Sequence, residues 1–130
     1  MISKTTEKKL ISAALKVLKN SHSPHSGFKV GSALLVSSGK VYSGTNVEFD
    51  ALTLTVCAER AALFSAVSGG DKKFTAIAIA TSSDEFVYPC GLCRQAMVEF
   101  NPNLEVILIT KSRKIKSFIL KDIIPNYFKL

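Results

Sequence analysis

The 130-residue chain has no tryptophan, only two histidines and only three cysteines. Each shortage removes a class of protein. Without tryptophan, and with no alternation of basic and aromatic residues, it lacks the stacking groove of a single-strand nucleic-acid binder. Three cysteines cannot close a disulfide framework, so reduced thiols are expected. No apolar run reaches the roughly 18 residues that cross a bilayer. The stretch Met1–Lys9 lacks the apolar centre of a secretory leader, and a cytoplasmic protein follows as the default. Repeats, low-complexity tracts and interdomain linkers are also missing, which leaves one domain over residues 1–130.

What is present is a globular composition. Hydrophobic residues make up 47% and charged residues 21%, enough apolar material to bury a core without crosslinks. The net charge of +7 gathers near the two ends, in Lys4, Lys8, Lys9, Lys16 and Lys19, then Lys111, Arg113, Lys114, Lys116, Lys121 and Lys129. It reads as a solvated basic surface, with nucleic acid an unfavoured partner.

Leu10, Ile11, Ala14, Leu15 and Leu18 recur at helical spacing and predict a helix over residues 5–19, with Thr5 or Thr6 as its cap. Residues 28–36 and 40–47 predict a hairpin around Ser37–Lys40. Gly31 marks close approach of another backbone, a ligand or a neighbouring helix. Residues 49–55 look irregular. A helix follows from Cys57 to Val67, ended by Gly69-Gly70. The apolar run 74–80 predicts a strand covered on both faces. A helix over 91–100, a strand over 104–110, a weaker strand over 114–118 and a helical turn over 120–124 complete the chain. A hairpin followed by strand–helix alternation implies an α/β fold with a mixed sheet and helices on its faces.

All three cysteines lie at predicted helix starts. Cys90 and Cys93, three apart, put both sulfurs on one side of a first turn. Cys57 stands at the start of the preceding helix, and a helix N-terminus favours thiolate over thiol. Three thiolates hold a zinc ion and leave its fourth position open for water. A redox pair would need a thioredoxin-like pattern, which is absent. A purely structural zinc would need a fourth protein ligand, and both histidines, His22 and His25, lie in the early loop. Glu59, two residues after Cys57, is the group that would take a proton from water at the metal and pass it on. Three thiolates on zinc leave a net negative charge, which Arg60 and Arg94 would offset by donating to the sulfurs.

Cys57-Ala58-Glu59-Arg60 together with Pro89-Cys90-Gly91-Leu92-Cys93-Arg94-Gln95 resembles the small, three-cysteine cytidine deaminases, and the zinc deaminase signature pairs just such a non-ligand glutamate with P-C-x-x-C. Ser23–Leu34 resembles that family's first strand and its approach, and Gly44–Glu48 its ribose-binding segment. The resemblance implies a three-layer αβα fold with a five-stranded mixed sheet and one zinc ion held by Cys57, Cys90 and Cys93. It implies Glu59 as proton shuttle, Asn46 and Glu48 on the sugar hydroxyls, and Phe28 near the base and sugar. The Ala58 N–H and the Tyr88 carbonyl would hold the base edge. It also implies a homotetramer in which the Tyr127 and Phe128 segment reaches a neighbouring pocket. The implied reaction is hydrolysis of cytidine and 2′-deoxycytidine to the uridines, in pyrimidine salvage. Two places depart from the family pattern. Residues 49–53 read Phe-Asp-Ala-Leu-Thr, with Leu52 where an aromatic residue is usual, and His25 stands where tyrosine is common. If Leu52 forms a pocket wall, these changes admit another aminated nucleoside, such as a blasticidin-type cytosine antibiotic.

Overall fold

The computed structural model describes all 130 residues. Helix α1 spans Lys4–Leu18, β1 Val30–Val36, β2 Val41–Thr45, α2 Ala58–Ser68, β3 Phe74–Thr81, α3 Gly91–Val98, β4 Glu105–Ile109 and β5 Ile115–Ile119. Short 3₁₀ turns occupy Leu52–Leu54 and Leu120–Ile123. The cap of α1 is Ser3, not Thr5 or Thr6: the Ser3 hydroxyl accepts from Thr6 N at 3.2 Å, and the helix begins one residue later. Helix α3 stops at Val98, short of the expected Phe100, before the Asn101-Pro102 break.

The sheet order is β2-β1-β3-β4-β5. β1 runs antiparallel to both β2 and β3, β3 is parallel to β4, and β5 returns antiparallel to β4. The parallel pair is joined through α3, as a crossover requires. One face carries α1, and the core there is built from Leu10, Ala14, Ala33, Ala76, Ala78, Ala80, Ile107 and Ile109. The other carries α2 and α3 over Leu34, Leu63, Ile77, Ile79, Met97, Val106 and Leu108. Along β3 the alternation is complete: Ala76, Ala78 and Ala80 face α1, and Ile77 and Ile79 face α2 and α3. Each buried leucine or isoleucine contributes on the order of 1.5–3 kcal/mol to this arrangement.

Two glycines fix how the helices sit on the hairpin. A methyl added at Gly31 would meet Ala14 O and lie 2.7 Å from Leu18 N, both backbone atoms of α1. Of the readings open from sequence, close approach of a helix backbone is the one found. At Gly44 a methyl would meet Ala62 N and lie 2.6 Å from Ala58 O, in the first turns of α2. Beside it, the Ser32 hydroxyl donates to Ala58 O at 2.7 Å inside the core. The start of α2 is thus seated directly on the β1–β2 hairpin.

Candidate active site

Cys57 and Cys90 are the N-cap residues of α2 and α3, both extended, with φ/ψ of −75°/155° and −66°/167°. Their carbonyls accept the first helical bonds, from Ala61 N at 3.0 Å and Arg94 N at 2.9 Å. Neither sulfur caps its helix, so both are free to point at a common centre. Cys93, one turn into α3, is fully buried. The three sulfurs lie within 4.8 Å of one another, with Cys57 and Cys90 3.8 Å apart. A tetrahedral zinc with bonds of about 2.3 Å holds neighbouring sulfurs about 3.8 Å apart. The donor set and spacing therefore fit zinc with one position left over.

The charges around the sulfurs are unequal. The Cys57 thiol is pulled down to about 5, first by a hydrogen bond from Cys93 and then, against the cost of burial, by the Arg60 guanidinium. Cys93, as the donor, is pushed up. Arg60 Nη2 donates to Cys57 Sγ at 3.5 Å, and this bond to a thiolate raises the arginine further. Arg94 corrects its sequence assignment. Its Nε donates to Pro89 O at 2.6 Å and its Nη1 to Ile123 O at 2.7 Å, so it pins the loop carrying Cys90 to the turn after β5. Its place one residue past Cys93 turns it toward those carbonyls, leaving Arg60 as the arginine on a sulfur. Glu59 is 5% exposed. Burial raises its carboxyl to about 7; its own backbone N–H pulls the other way, and the Cys57 thiolate adds to the rise. A carboxyl poised near neutrality both takes and returns protons.

Cys57, Glu59 and Cys90 lie in a cavity of about 250 Å³, whose lining also includes Phe28, Asn46, Glu48, Ala58 and Tyr88. Asn46 is held on three sides. Its Oδ1 accepts from Ser21 Oγ at 2.5 Å and Val30 N at 3.0 Å, and its Nδ2 donates to Phe28 O at 2.8 Å. Glu48 Oε1 accepts from His25 N at 2.9 Å and Ser26 N at 3.0 Å, and Oε2 accepts from Ser26 Oγ at 2.5 Å. The Ser26 hydroxyl is the main reason that the Glu48 carboxyl titrates below the usual range. Sequence reading missed Ser21 and Ser26. Hydroxyls in a loop are too common to signal a role, and only the fold brings them to residues 46 and 48.

The 49–54 segment does not form the pocket wall expected of Leu52. Val47 and Val56 exchange backbone bonds of 3.0 Å, and Phe49 N donates to Thr55 Oγ1 at 3.1 Å. The residues between are pinched into an outward loop, with Leu52 71% exposed. His25 Nε2 meets Asp50 Oδ1 at 3.1 Å, so the two departures from the family pattern face each other on the surface. Tyr127 packs against the α2–α3 core, whereas Phe128 is exposed, its carbonyl accepting from Gln95 Nε2 at 3.1 Å. Neither lines this chain's own cavity.

Residues 4–109 match the family described as the cytidine and deoxycytidylate deaminase zinc-binding region. A probable cytidine deaminase of Dictyostelium discoideum is 41% identical over 121 residues, covering 92% of this chain and 82% of its own length. The cytidine deaminase of Sporosarcina psychrophila is 39% identical over 121 residues, covering 92% and 89%. The crystal structure of cytidine deaminase from Burkholderia pseudomallei superposes with a TM-score of 0.90 at 38% identity, over 98% of this chain and 100% of that one. With three sulfurs converging at two helix starts beside a buried glutamate, the chain belongs to the zinc-binding cytidine and deoxycytidylate deaminase family.

Proposed function

We propose that the chain hydrolyses the exocyclic C4–N bond of cytidine and 2′-deoxycytidine, releasing ammonia and the corresponding uridines. The observation that carries this reading is the buried Glu59 carboxyl beside three converging cysteine sulfurs, two of them, Cys57 and Cys90, lining the cavity. Cys57, Cys90 and Cys93 would hold zinc, which when bound supplies a water acidic enough to act as a nucleophile at neutral pH. Glu59 would take one proton from the attacking water and pass it to N3 of the base, then take the second from the hydroxyl left on C4 and pass it to the departing amine, so that the C4–O bond forms and the C4–N bond breaks. The Arg60 bond to Cys57 withdraws charge from the sulfur cluster. The Ala58 N–H and the Tyr88 carbonyl orient the base edge, and Phe28 packs beside base and sugar.

The sugar partners follow from the hydrogen bonds already made. Asn46 Oδ1 has two donors, so Asn46 offers only an N–H. Glu48 stays ionised and offers only acceptor positions. A hydroxyl that accepts from Asn46 and donates to Glu48 satisfies both.

The antibiotic reading loses its motive, because the 49–54 side chains are absent from the cavity lining and the relatives described above carry the name cytidine deaminase. A single domain over residues 1–130, in the cytoplasm and acting in pyrimidine salvage, completes the proposal. A homotetramer suits the large apolar side chains left exposed at Phe49, Leu52, Leu54, Phe64, Leu92 and Phe128, and the Tyr127 and Phe128 segment would contribute at a neighbour's pocket. The test is zinc-loaded protein with cytidine, read as the fall in ultraviolet absorbance, alongside metal content. Turnover with one zinc per chain is expected; no turnover of either nucleoside by zinc-loaded protein overturns the assignment.

A further inference from the structure

Ser26 lies where three strands of the site's wiring meet. Its N–H donates to Glu48 Oε1 at 3.0 Å, its hydroxyl contacts Glu48 Oε2 at 2.5 Å, and the same hydroxyl accepts from Phe28 N at 3.0 Å. An ionised carboxylate only accepts, so the hydroxyl proton must point at Glu48. The result is a directed chain from the Phe28 N–H through the Ser26 O–H to the Glu48 carboxylate, each bond polarising the next. Oε1 already takes two backbone donors and Oε2 takes one, which leaves a single acceptor position on Oε2. Without the Ser26 hydroxyl, Oε2 would have two open positions and the carboxylate would be held through Oε1 alone.

We propose that Ser26 is a positioning residue that orients Glu48 so that one acceptor position faces the sugar hydroxyl. Ser26 touches no substrate in this role and acts only through Glu48. The inference rests on the reading of Glu48 as the sugar partner.

The experiment pairs a substitution with a change of ligand. In the zinc-loaded enzyme, Ser26→Ala should raise KM for cytidine about tenfold, the size expected for a charge-assisted bond lost one residue away, with kcat within about twofold. The inhibition constant of 2′,3′-dideoxycytidine, which keeps the base but lacks the two ring hydroxyls, should change by less than about twofold, because Glu48 has nothing to receive. Ser26→Thr, which keeps the hydroxyl, should restore the KM for cytidine. An equal loss for cytidine and the dideoxynucleoside would mean a general loosening through Phe28 and would overturn the proposal, as would failure of threonine to restore KM. Glu48→Gln separates the two layers. If it weakens cytidine but not the dideoxynucleoside while Ser26→Ala does neither, the role of Ser26 falls alone. If neither variant discriminates, the Glu48 reading falls with it.

Discussion

Residues 49–54 and 57–60 are neighbours in the chain with opposite fates. The first six are all exposed, whereas Ala58 and Glu59 are buried and Cys57 aims into the sulfur cluster. The Val47–Val56 bridge is the divide between them. It pinches off everything before it as a loop and delivers everything after it to the start of α2. Chemistry therefore resides where the backbone is gripped by the hairpin. The 49–54 side chains point to solvent and stay out of the cavity lining, so unusual residues at 49–53 need not alter the reaction.

The sharpest way to test this contrast is at the floor. Cys93→Ser replaces a fully buried sulfur and should abolish zinc retention with it, lowering activity by about a thousandfold or more; metal analysis and turnover on one sample decide it. Glu59→Gln should keep one zinc per chain yet lower kcat by about 10²–10⁴-fold, the contribution of a positioned proton carrier. Loss of metal in this variant would make Glu59 part of the metal site instead. At the released loop, Leu52→Asp should leave zinc stoichiometry unchanged and, if the proposed homotetramer forms through this loop, lower the mass in light scattering. An unchanged mass would remove the loop from any contact between copies.

The mildest effect is at the rim. Glu48 titrates below its ordinary range in the folded chain, mainly because of Ser26. It therefore stabilises the fold at pH values above its unfolded pKa, and that contribution is lost as pH falls through the lowered folded value. The melting temperature of Glu48→Gln should trail that of the parent at neutral pH and converge with it in acid. A constant gap across the range would show that packing, not charge, makes the difference.

Much of this is legible in the sequence. The 3.6-residue spacing of Leu10, Ala14 and Leu18, the apolar run after Lys73 and the glycine pair at 69–70 located helices and strands to within a few residues. Cys57, Cys90 and Cys93 were legible because metal ligands must be particular residue types at particular spacings, and Glu59 because it stands two residues after one of them. What stayed hidden depended on distance in space. The direction of the Arg94 side chain is set by carbonyls at positions 89 and 123, the exposure of Leu52 by a bridge between 47 and 56, and the partners of Glu48 by a loop more than twenty residues earlier. None of these leaves a local trace in composition or period.

Gly44 carries no chemistry, yet its missing side chain lets the backbone of α2 rest on β2 at Ala58 and Ala62. Cys57 is the residue just before that contact. The hairpin therefore acts as a gauge block for the metal centre: its thickness at one position determines how far one ligand stands from the other two. A side chain at position 44 would push back the start of α2 and Cys57 with it, so a survey of zinc-deficient variants should recover position 44 alongside the cysteines.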